Sequence, residues 1–453
     1  MSENPAHSLP ANAFEPLHLR QEVQAINRPS LSYWQDAWLR LCANRRALIS
    51  LWLVVGLLLF TFIGPVIWDI DPTAQDVEQI SQAPGADRTV TLVDDYVPWS
   101  GSESAKLIFV EAPTTQRVRL SWHDFNPRYG YRIYRTPYEI GPERAFGLPL
   151  DETDATYFED RLDLRPMRYF YTIVALDESG RNTQQFHTLT GTVSRVITRD
   201  EARQRGLIDE GASPEPGVQY QLAWHPLGTD YLGRDMLARL MHGARISLFI
   251  GFFAPLAYVL IGVIYGSAAG FLGGATDQLM MRFADFVVAL PFLLFMILFK
   301  VMTNTGPGES GILPMLFAMV ILLWPGTARL VRGQILQIRE EGYISASRLL
   351  GAKTNYLILR HMIPNTMGVI LVTVTFAVPS AIFTEAFLSF IGMGVAPPTP
   401  SWGSMCNDGI KTMLTHPHEL ILPALLISVT VLAFNMLGDG LRDALDARMR
   451  NRE

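Results

Sequence analysis

Apolar residues gather into six runs long enough to cross a bilayer as helices, separated by polar stretches of very unequal length. About 20 residues of helix at a rise of about 1.5 Å span the roughly 30 Å hydrocarbon layer. The first run is Ala47 to Trp68, and the second runs from about Ile246 to Phe271. The others are Gln278–Met302, Ile312–Val331, Gly368–Ile391 and Leu420–Leu437. Pro and Gly inside several of them are ordinary for packed membrane helices. Between the first and second runs the period changes. VRLSW at 118–122, YRIYR at 131–135 and YFYTIVALD at 169–177 alternate in strand fashion, and turn residues Glu178, Ser179 and Gly180 follow the last. Antiparallel strands with one buried face predict a small β-sandwich. Residues 69–85 and 198–224, rich in Pro, Gly, Asp and Glu, read as linkers. The expected fold class is an all-α polytopic membrane protein of six transmembrane helices with an inserted extracytoplasmic all-β sandwich.

Positive charge sets the orientation. Arg40, Arg45 and Arg46 precede the first run. Arg329, Arg332, Arg339, Arg348, Lys353 and Arg360 lie between the fourth and fifth, and Arg442, Arg448, Arg450 and Arg452 follow the sixth. With six crossings these sets share one side, so both termini are expected in the cytoplasm. Thr303–Gly311, Gly392–Glu419 and the long stretch 69–244 are then expected outside. That stretch holds 27 acidic and 18 basic residues against 16 and 19 elsewhere, and its acidity is no objection because long translocated domains escape the charge rule. The composition, 49% hydrophobic and 18% charged, fits a membrane protein diluted by such a domain. The polar first 46 residues predict an uncleaved anchor rather than a signal peptide.

Chemistry is sparse. Cys42 and Cys406 fall on opposite sides of the expected topology, which predicts no disulfide between them. No Cys/His cluster has metal-ligand spacing. No G-x-x-x-x-G-K-[ST] occurs; LLGAKT at 349–354 lacks the Gly-Lys pair and the preceding strand. No Ser/His/Asp or Cys/His arrangement stands out. The chain is expected to be no enzyme, to hold no cofactor or metal, and to bind no nucleic acid.

One polar segment between the fourth and fifth runs is too ordered in pattern for a linker. In YISASRLLGAKTNYLILRHMIPN, Tyr343 to Asn365, apolar Ile344, Leu349, Leu350, Leu357 and Ile358 sit among Arg348, Lys353 and Arg360. Gly351 offers a helix end and Lys353-Thr354-Asn355 a restart, so two short helices meeting at a bend form a cytoplasmic knob. This segment resembles the EAA loop of ABC importer permease subunits. Ser345-Ala346-Ser347 occupies the E-A-A positions, Gly351 follows, and Ile363-Pro364-Asn365 closes the pattern; the Glu and the second Ala are absent. The resemblance implies that loop 332–365 docks in a groove of a cytoplasmic ATPase. It assigns to that coupling loop Tyr343, Ser345, Ala346, Ser347, Arg348 and Gly351, and beyond the bend Ala352, Lys353, Arg360, His361, Pro364 and Asn365; for Arg348, Lys353 and Arg360, contact with the ATPase and positive-inside topology alone are equal readings.

Three further stretches narrow the family. HPLGTDYLGRDMLARLMHGARISL (His225–Leu248), EAFLSFIGMGVAPPTPSWGSM (Glu385–Met405) and WLRLCANRRALISLWLVVGLLLF (Trp38–Phe60) resemble the C-type permease of the oligopeptide/dipeptide ABC importer family. The resemblance implies the type I permease fold in a bacterial inner membrane. It also implies a homologous B-type permease, two ATPase subunits that bind ATP and Mg, an extracytoplasmic solute-binding protein, and peptide cargo. An antimicrobial peptide, a metal complex or an oligosaccharide is the alternative cargo. A membrane-anchored adhesion or sensory protein using the sandwich is the alternative of another class. Within the insertion, Phe158-x-Asp160, Leu164-x-Pro166, Tyr169-x-Tyr171-x-Ile173-x-Ala175-x-Asp177 and Gly180 resemble the second half of a fibronectin type III domain over residues 86–197. Trp122 fits that family's core tryptophan and GYRIYR its central strand.

These readings divide the chain into 1–46 (cytoplasmic), 47–68 (first span), 69–85 (linker), 86–197 (sandwich), 198–244 (linker and pre-helix scaffold), 245–440 (five-helix core) and 441–453 (tail). Glu385, inside the fifth run, is a pathway residue or a buried structural carboxylate, and the second reading is preferred. Arg282 and Asp285 pair at i,i+3 or anchor the interface, and the second reading is preferred. Asp230, Gly233, Arg234 and Asp235 are expected to brace an outer amphipathic helix. Pro400, Trp402 and Gly403 form an outer-loop motif, with Trp402 an interfacial anchor or close to the binding-protein docking surface. Trp122, Tyr131, Tyr169 and Tyr171 are expected in the sandwich core.

Overall fold

The computed structural model describes residues 33–101, 104–126, 128–140, 146–162, 164–209, 211–303 and 311–445. The N-terminal residues before 33, most of the expected outer loop Thr303–Gly311, and the tail with Arg448, Arg450 and Arg452 lie outside the described residues. The chain forms two compact units, one of residues up to Thr73 and from Ala238 onward, the other Ala74–Leu237.

The first unit is helical. α1 (Tyr33–Ala43) and α2 (Arg45–Phe62) meet at Asn44, whose side chain accepts hydrogen bonds from Arg46 N at 3.1 Å and Ala47 N at 3.4 Å and so caps α2. α3 (Gly64–Ile67) prolongs that span.

Among the described residues the second unit has three sheets of ten strands, with one α-helix between the last two: β1 (Thr89–Val93), β2 (Ile108–Phe109), β3 (Val118–Ser121), β4 (Tyr131–Thr136), β5 (Asp151–Thr153), β6 (Tyr157–Asp160), β7 (Arg168–Leu176), β8 (Asn182–Thr192), β9 (Val196–Thr198), α4 (Arg199–Gln204) and β10 (Gln219–Gln221). One sheet has order β2-β3-β6 and another β5-β4-β7-β8, both antiparallel. Leu120 of the first sheet and Trp122 just beyond β3, with Tyr131, Ile133, Tyr171 and Ile173 from the second, alternate inward and fill one shared apolar core. Tyr169 is buried there too.

The third sheet, β10-β1-β9, joins two strands from the expected sandwich range to β10, which with α4 and a 310 turn gives structure to stretches expected as linkers. β1 pairs with β9 and β10, a 310 turn covers Val77–Gln79, and a Thr198–Glu201 capping box starts α4. The two ends of the unit are also tied by backbone. Asp76 N donates to Gly233 O at 3.1 Å, Ser81 N to Asp230 O at 2.8 Å and Thr229 N to Gln82 O at 3.0 Å. Asp230 accepts from Arg234 Nε at 2.7 Å, and both side chains are buried. Gly233 has φ +74°, and a Cβ there would collide with the Asp76 backbone. Asp235 Oδ2 lies 2.7 Å from His225 Nδ1. The pre-helix motif therefore fastens the start of the insertion to its end. The helix beyond it is continuous from Met236 into the span.

The remaining helices are α5 (Met236–Leu272), α6 (Gly274–Ala289), α7 (Phe292–Met302), α8 (Ile312–Arg339), α9 (Gly342–Leu349), α10 (Thr354–Tyr356), α11 (Ile363–Phe390), α12 (Trp402–Ile410) and α13 (His418–Leu445). A π-helical turn, Leu357–Met362, joins α10 to α11. Among the described residues five helices are long and apolar enough to span: Arg45–Ile67, α5, α8, Thr354–Phe390 and α13. The expected third span is not one helix. α6 and α7 are bent by 81° at Leu290-Pro291, giving a sixth crossing only if the pair counts as one. Pro291 has no N–H to continue the ladder, and it holds Leu290 extended at φ −72°, ψ 123°.

α5 and α8 approach closely along Gly262, Gly266 and Gly270, where any Cβ would meet Thr327, Ala328 or Ile335. Arg332 makes two hydrogen bonds of 2.5 Å to Asp277, tying α8 to α6. Asp285 pairs with Arg329 of α8 at 2.7 Å, a partner on another helix that neither the local Arg282 pairing nor the preferred interfacial anchoring supplied.

Candidate functional site

The Tyr343–Asn365 segment folds as two short helical pieces around Gly351. α9 ends in a Schellman motif: Ala352 N donates to Ser347 O at 3.1 Å and Gly351 N to Arg348 O at 3.0 Å. Gly351 supplies the required left-handed backbone at φ +87°, with open space where a side chain would begin. The chain restarts at Thr354 after Lys353.

One side of this knob is fixed to the bundle. Ile344, Leu357 and Met362 are buried in the core cluster that includes Val331 and Ile335 of α8, and Ala352, Ile358 and Ile363 pack against it. Asn365 Nδ2 donates to the Tyr343 phenolic oxygen at 3.0 Å and to His361 O at 2.8 Å. The Arg348 guanidinium stands 5.1 Å from the centroid of the Phe271 ring at the end of α5, a cation–π contact. Ser347 Oγ donates to Tyr343 O at 2.8 Å.

The other side is bare. Leu349 is 90% exposed and Leu350 88%, at the very bend that Gly351 makes. Around them Ser345, Ala346, Arg348, Lys353 and Arg360 are exposed, as are Pro364 and Asn365; Ser347, Ala352 and His361 are half-buried. Two adjacent leucines held in water by a capped turn form a surface that gains about 1.5–3 kcal/mol per side chain when covered. Sequence reasoning noted both as apolar but left them out of the docking set. The available signal was that one face of an eight-residue helix cannot also bury the two apolar residues at its end.

Glu385 sits in a different setting. It is fully buried, with Oε2 accepting from Ser247 Oγ and Oε1 from Ser389 Oγ, each at 2.8 Å. Ser247 Oγ accepts from Trp402 N at 3.3 Å, and Ser389 Oγ from Val395 N at 3.2 Å. The Trp402 indole donates to Leu240 O at 3.0 Å. Trp402 is fully enclosed, Pro400 is buried, and Gly403 lies against Ala386 and Ser389 so tightly that a Cβ would clash. The outer-loop motif is thus neither an exposed anchor nor a free surface. With Glu385 it joins α5, α11 and α12 in one enclosed polar node. Among the described residues no cluster of His, Cys, Asp and Glu has the makings of a metal site.

Residues 259–451 match the model of a family described as binding-protein-dependent transport system inner membrane component, and residues 32–84 match one described as the N-terminal TM domain of oligopeptide transport permease C. The oligopeptide transport system permease protein OppC of Bacillus subtilis (strain 168) is 50% identical over 226 residues, covering 50% of this chain and 72% of that protein. This chain belongs to that permease family. The dipeptide transport system permease protein DppC of the same organism is also 50% identical, over 227 residues covering 50% of this permease and 69% of the relative. The glutathione transport system permease protein GsiD of Escherichia coli O6:K15:H31 (strain 536 / UPEC) is 42% identical over 226 residues, 50% of this permease and 73% of the relative. As a permease subunit of an ABC importer, the chain is a membrane component and not an enzyme. The first matched range contains the knob and the polar residues Glu385 and Trp402, and the second contains α1–α3. The body of the inserted unit, from residue 85 on, falls between them.

Proposed function

We propose that this chain is the C-type permease of a peptide importer, with the knob around Gly351 as the site where a cytoplasmic ATPase docks. The observation that carries this reading is the pair Leu349–Leu350, almost wholly exposed on a turn whose other face is locked into the bundle. A stiff knob with an apolar tip passes force where a floppy loop would absorb it. Two ATPases, which hold the ATP and Mg, engage this knob and its counterpart on a homologous B-type permease. Their closure pulls on α8 and α11 and switches the bundle between two states that they bind unequally. An extracytoplasmic binding protein delivers the solute, and both termini face the cytoplasm. Peptide cargo is supported by the names of relatives at 50% and 42% identity, for oligopeptide, dipeptide and glutathione transport. Glu385 acts in this scheme as a structural pin.

The inserted unit is read as a sandwich of fibronectin type III kind, supported by its sheet orders β2-β3-β6 and β5-β4-β7-β8 around Trp122. Its role is to shape docking of the binding protein or the partner permease. Replacing 86–197 by a short linker tests this; unchanged transport together with unchanged binding-protein affinity sinks it.

The main reading is tested by affinity purification from the native membrane in mild detergent, with mass spectrometry of the proteins that co-purify. An ATPase and a second permease are expected. Gly351→Trp, which forces a bulky residue into left-handed backbone, is expected to lose the ATPase alone. Absence of any ATPase while the second permease is retained would overturn the docking assignment. Uptake of labelled di- and oligopeptides into proteoliposomes of the assembled importer decides the cargo.

A further inference from the structure

α1 has two faces. Ala37 and Leu41, one turn apart and each 7% exposed, turn inward, and Leu41 clusters with Ala47 of α2 and Ala444 of α13. Gly440 of α13 admits this contact, since a Cβ there would collide with Ala47 and touch Leu41. The neighbouring face carries Trp38 at 56% and Leu39 at 54% exposure. Among the described residues, nothing in the unit encloses either.

The surroundings of α2 identify the cover. After Asn44 the chain starts its first span, and the span's early turns expose Ile49 at 58% and Trp52 at 67%. On a span, positions left uncovered by the chain's own helices meet the bilayer unless a partner's helix covers them. The exposed apolar surface of α1 lies one capping residue upstream of this lipid-facing surface. Tryptophan at this level is the residue that favours the boundary between headgroups and acyl chains. Charge adds little net pull: Arg40 is paired with Asp36 at 3.3 Å, Arg45 and Arg46 share a cleft with Asp439 and Asp443, and exposed Arg442 is the one base in excess among these described residues.

We infer that α1 is a membrane-surface anchor, lying in the bilayer–water boundary of the leaflet where α2 begins and placing Trp38 and Leu39 among the lipids. Attachment is mainly apolar, because acidic neighbours offset all but one of the described basic residues around it. The anchor fixes the angle at which α1 leans on the end of α13. This inference uses the membrane-spanning assignment of α2 and is independent of where the ATPases dock.

The test places a nitroxide label on the full-length chain in nanodiscs, on a Cys42→Ser background, at Trp38→Cys or Leu39→Cys. Collision with oxygen and with a water-soluble nickel chelate reports the surroundings. Ile49→Cys serves as the lipid reference and Gln184→Cys, on exposed β8, as the aqueous one. Positions 38 and 39 are expected to favour oxygen several-fold over position 184, equally in phosphatidylcholine alone and in phosphatidylcholine with phosphatidylglycerol. A ratio equal to that of position 184 overturns the anchor. Insertion only with phosphatidylglycerol overturns its apolar character, and protection only after ATPase is added assigns the face to protein. If position 49 itself reads as aqueous, it is the span assignment that fails.

Discussion

Asn365, in the first turn of α11, donates its side-chain amide to the phenolic oxygen of Tyr343, near the start of α9, at 3.0 Å. The bond joins the two ends of the knob, so the apolar tip cannot swing without moving α11. Tyr343→Phe keeps the ring and removes the bond, a loss of about 0.5–1.5 kcal/mol. The expected outcome is an importer that still assembles and hydrolyses ATP but takes up fewer solute molecules per ATP. Proteoliposome assays that return the wild-type ratio would remove this bond from the coupling path.

Leu349→Glu combined with Leu350→Glu is expected to abolish ATPase co-purification. Both side chains are about nine-tenths exposed, so the permease itself should melt as before, within about 0.5 kcal/mol of wild type. A double variant that keeps its ATPase would move the docking surface elsewhere.

Glu385 gives a pair of contrasting substitutions. Glu385→Gln preserves shape and one acceptor for Ser247 or Ser389, and little change in uptake is expected. Glu385→Ala strips both hydroxyls of their partner and opens a void beside Trp402, which is expected to cost about 1–3 kcal/mol in thermal stability in detergent. Altered cargo preference in Glu385→Gln would return this residue to the translocation path.

The two cysteines should separate in reactivity. Burial, with the Glu385 charge adding to it, pushes the Cys406 thiol up to about 12, whereas Cys42 is half-buried. Maleimide at pH 8 is expected to modify Cys42 alone in the folded chain and both after denaturation. Mass spectrometry of the labelled peptides reads this directly.

Tyr131 predicts an alkaline limit for the inserted unit. Burial, followed by its 2.5 Å hydrogen bond to Asp124, pushes the phenol up to about 12. A group whose folded pKa is raised stabilises fully below its ordinary value, near 10, and loses that contribution as pH climbs through the folded one. Tyr171 is displaced upward as well, by burial and then by Asp160. Folded β-structure is therefore expected to weaken between about pH 10 and 12. In Tyr131→Phe the loss over that window should shrink, as followed by tyrosinate absorbance and circular dichroism. An identical pH profile in the variant would rule out this linkage.

Runs of apolar residues made the spans legible, because a bilayer imposes a minimum length that no other environment does. The break at Pro291 was hidden because hydropathy is the same on both sides of it: Leu290 and Phe292 are as apolar as their neighbours. The strands around Trp122 were readable from alternation, whereas β9 and β10, of three residues each, are too short for a period to register. Asp285 illustrates a different limit. A local window offers Arg282 as partner, and only the packing of α6 on α8 brings in Arg329. At the knob the helix end at Gly351 followed from residue type alone. Which leucines would be left in water depended on what α8 and α11 covered.

The hydrogen bonds that join Asp76, Ser81 and Gln82 to Gly233, Asp230 and Thr229, with β1 clasped between β9 and β10, give the insertion a closed neck. Three backbone hydrogen bonds and one short sheet thus hold the first and last residues of the unit together, so a change among the strands beyond the neck meets that clasp before it reaches either end of the unit.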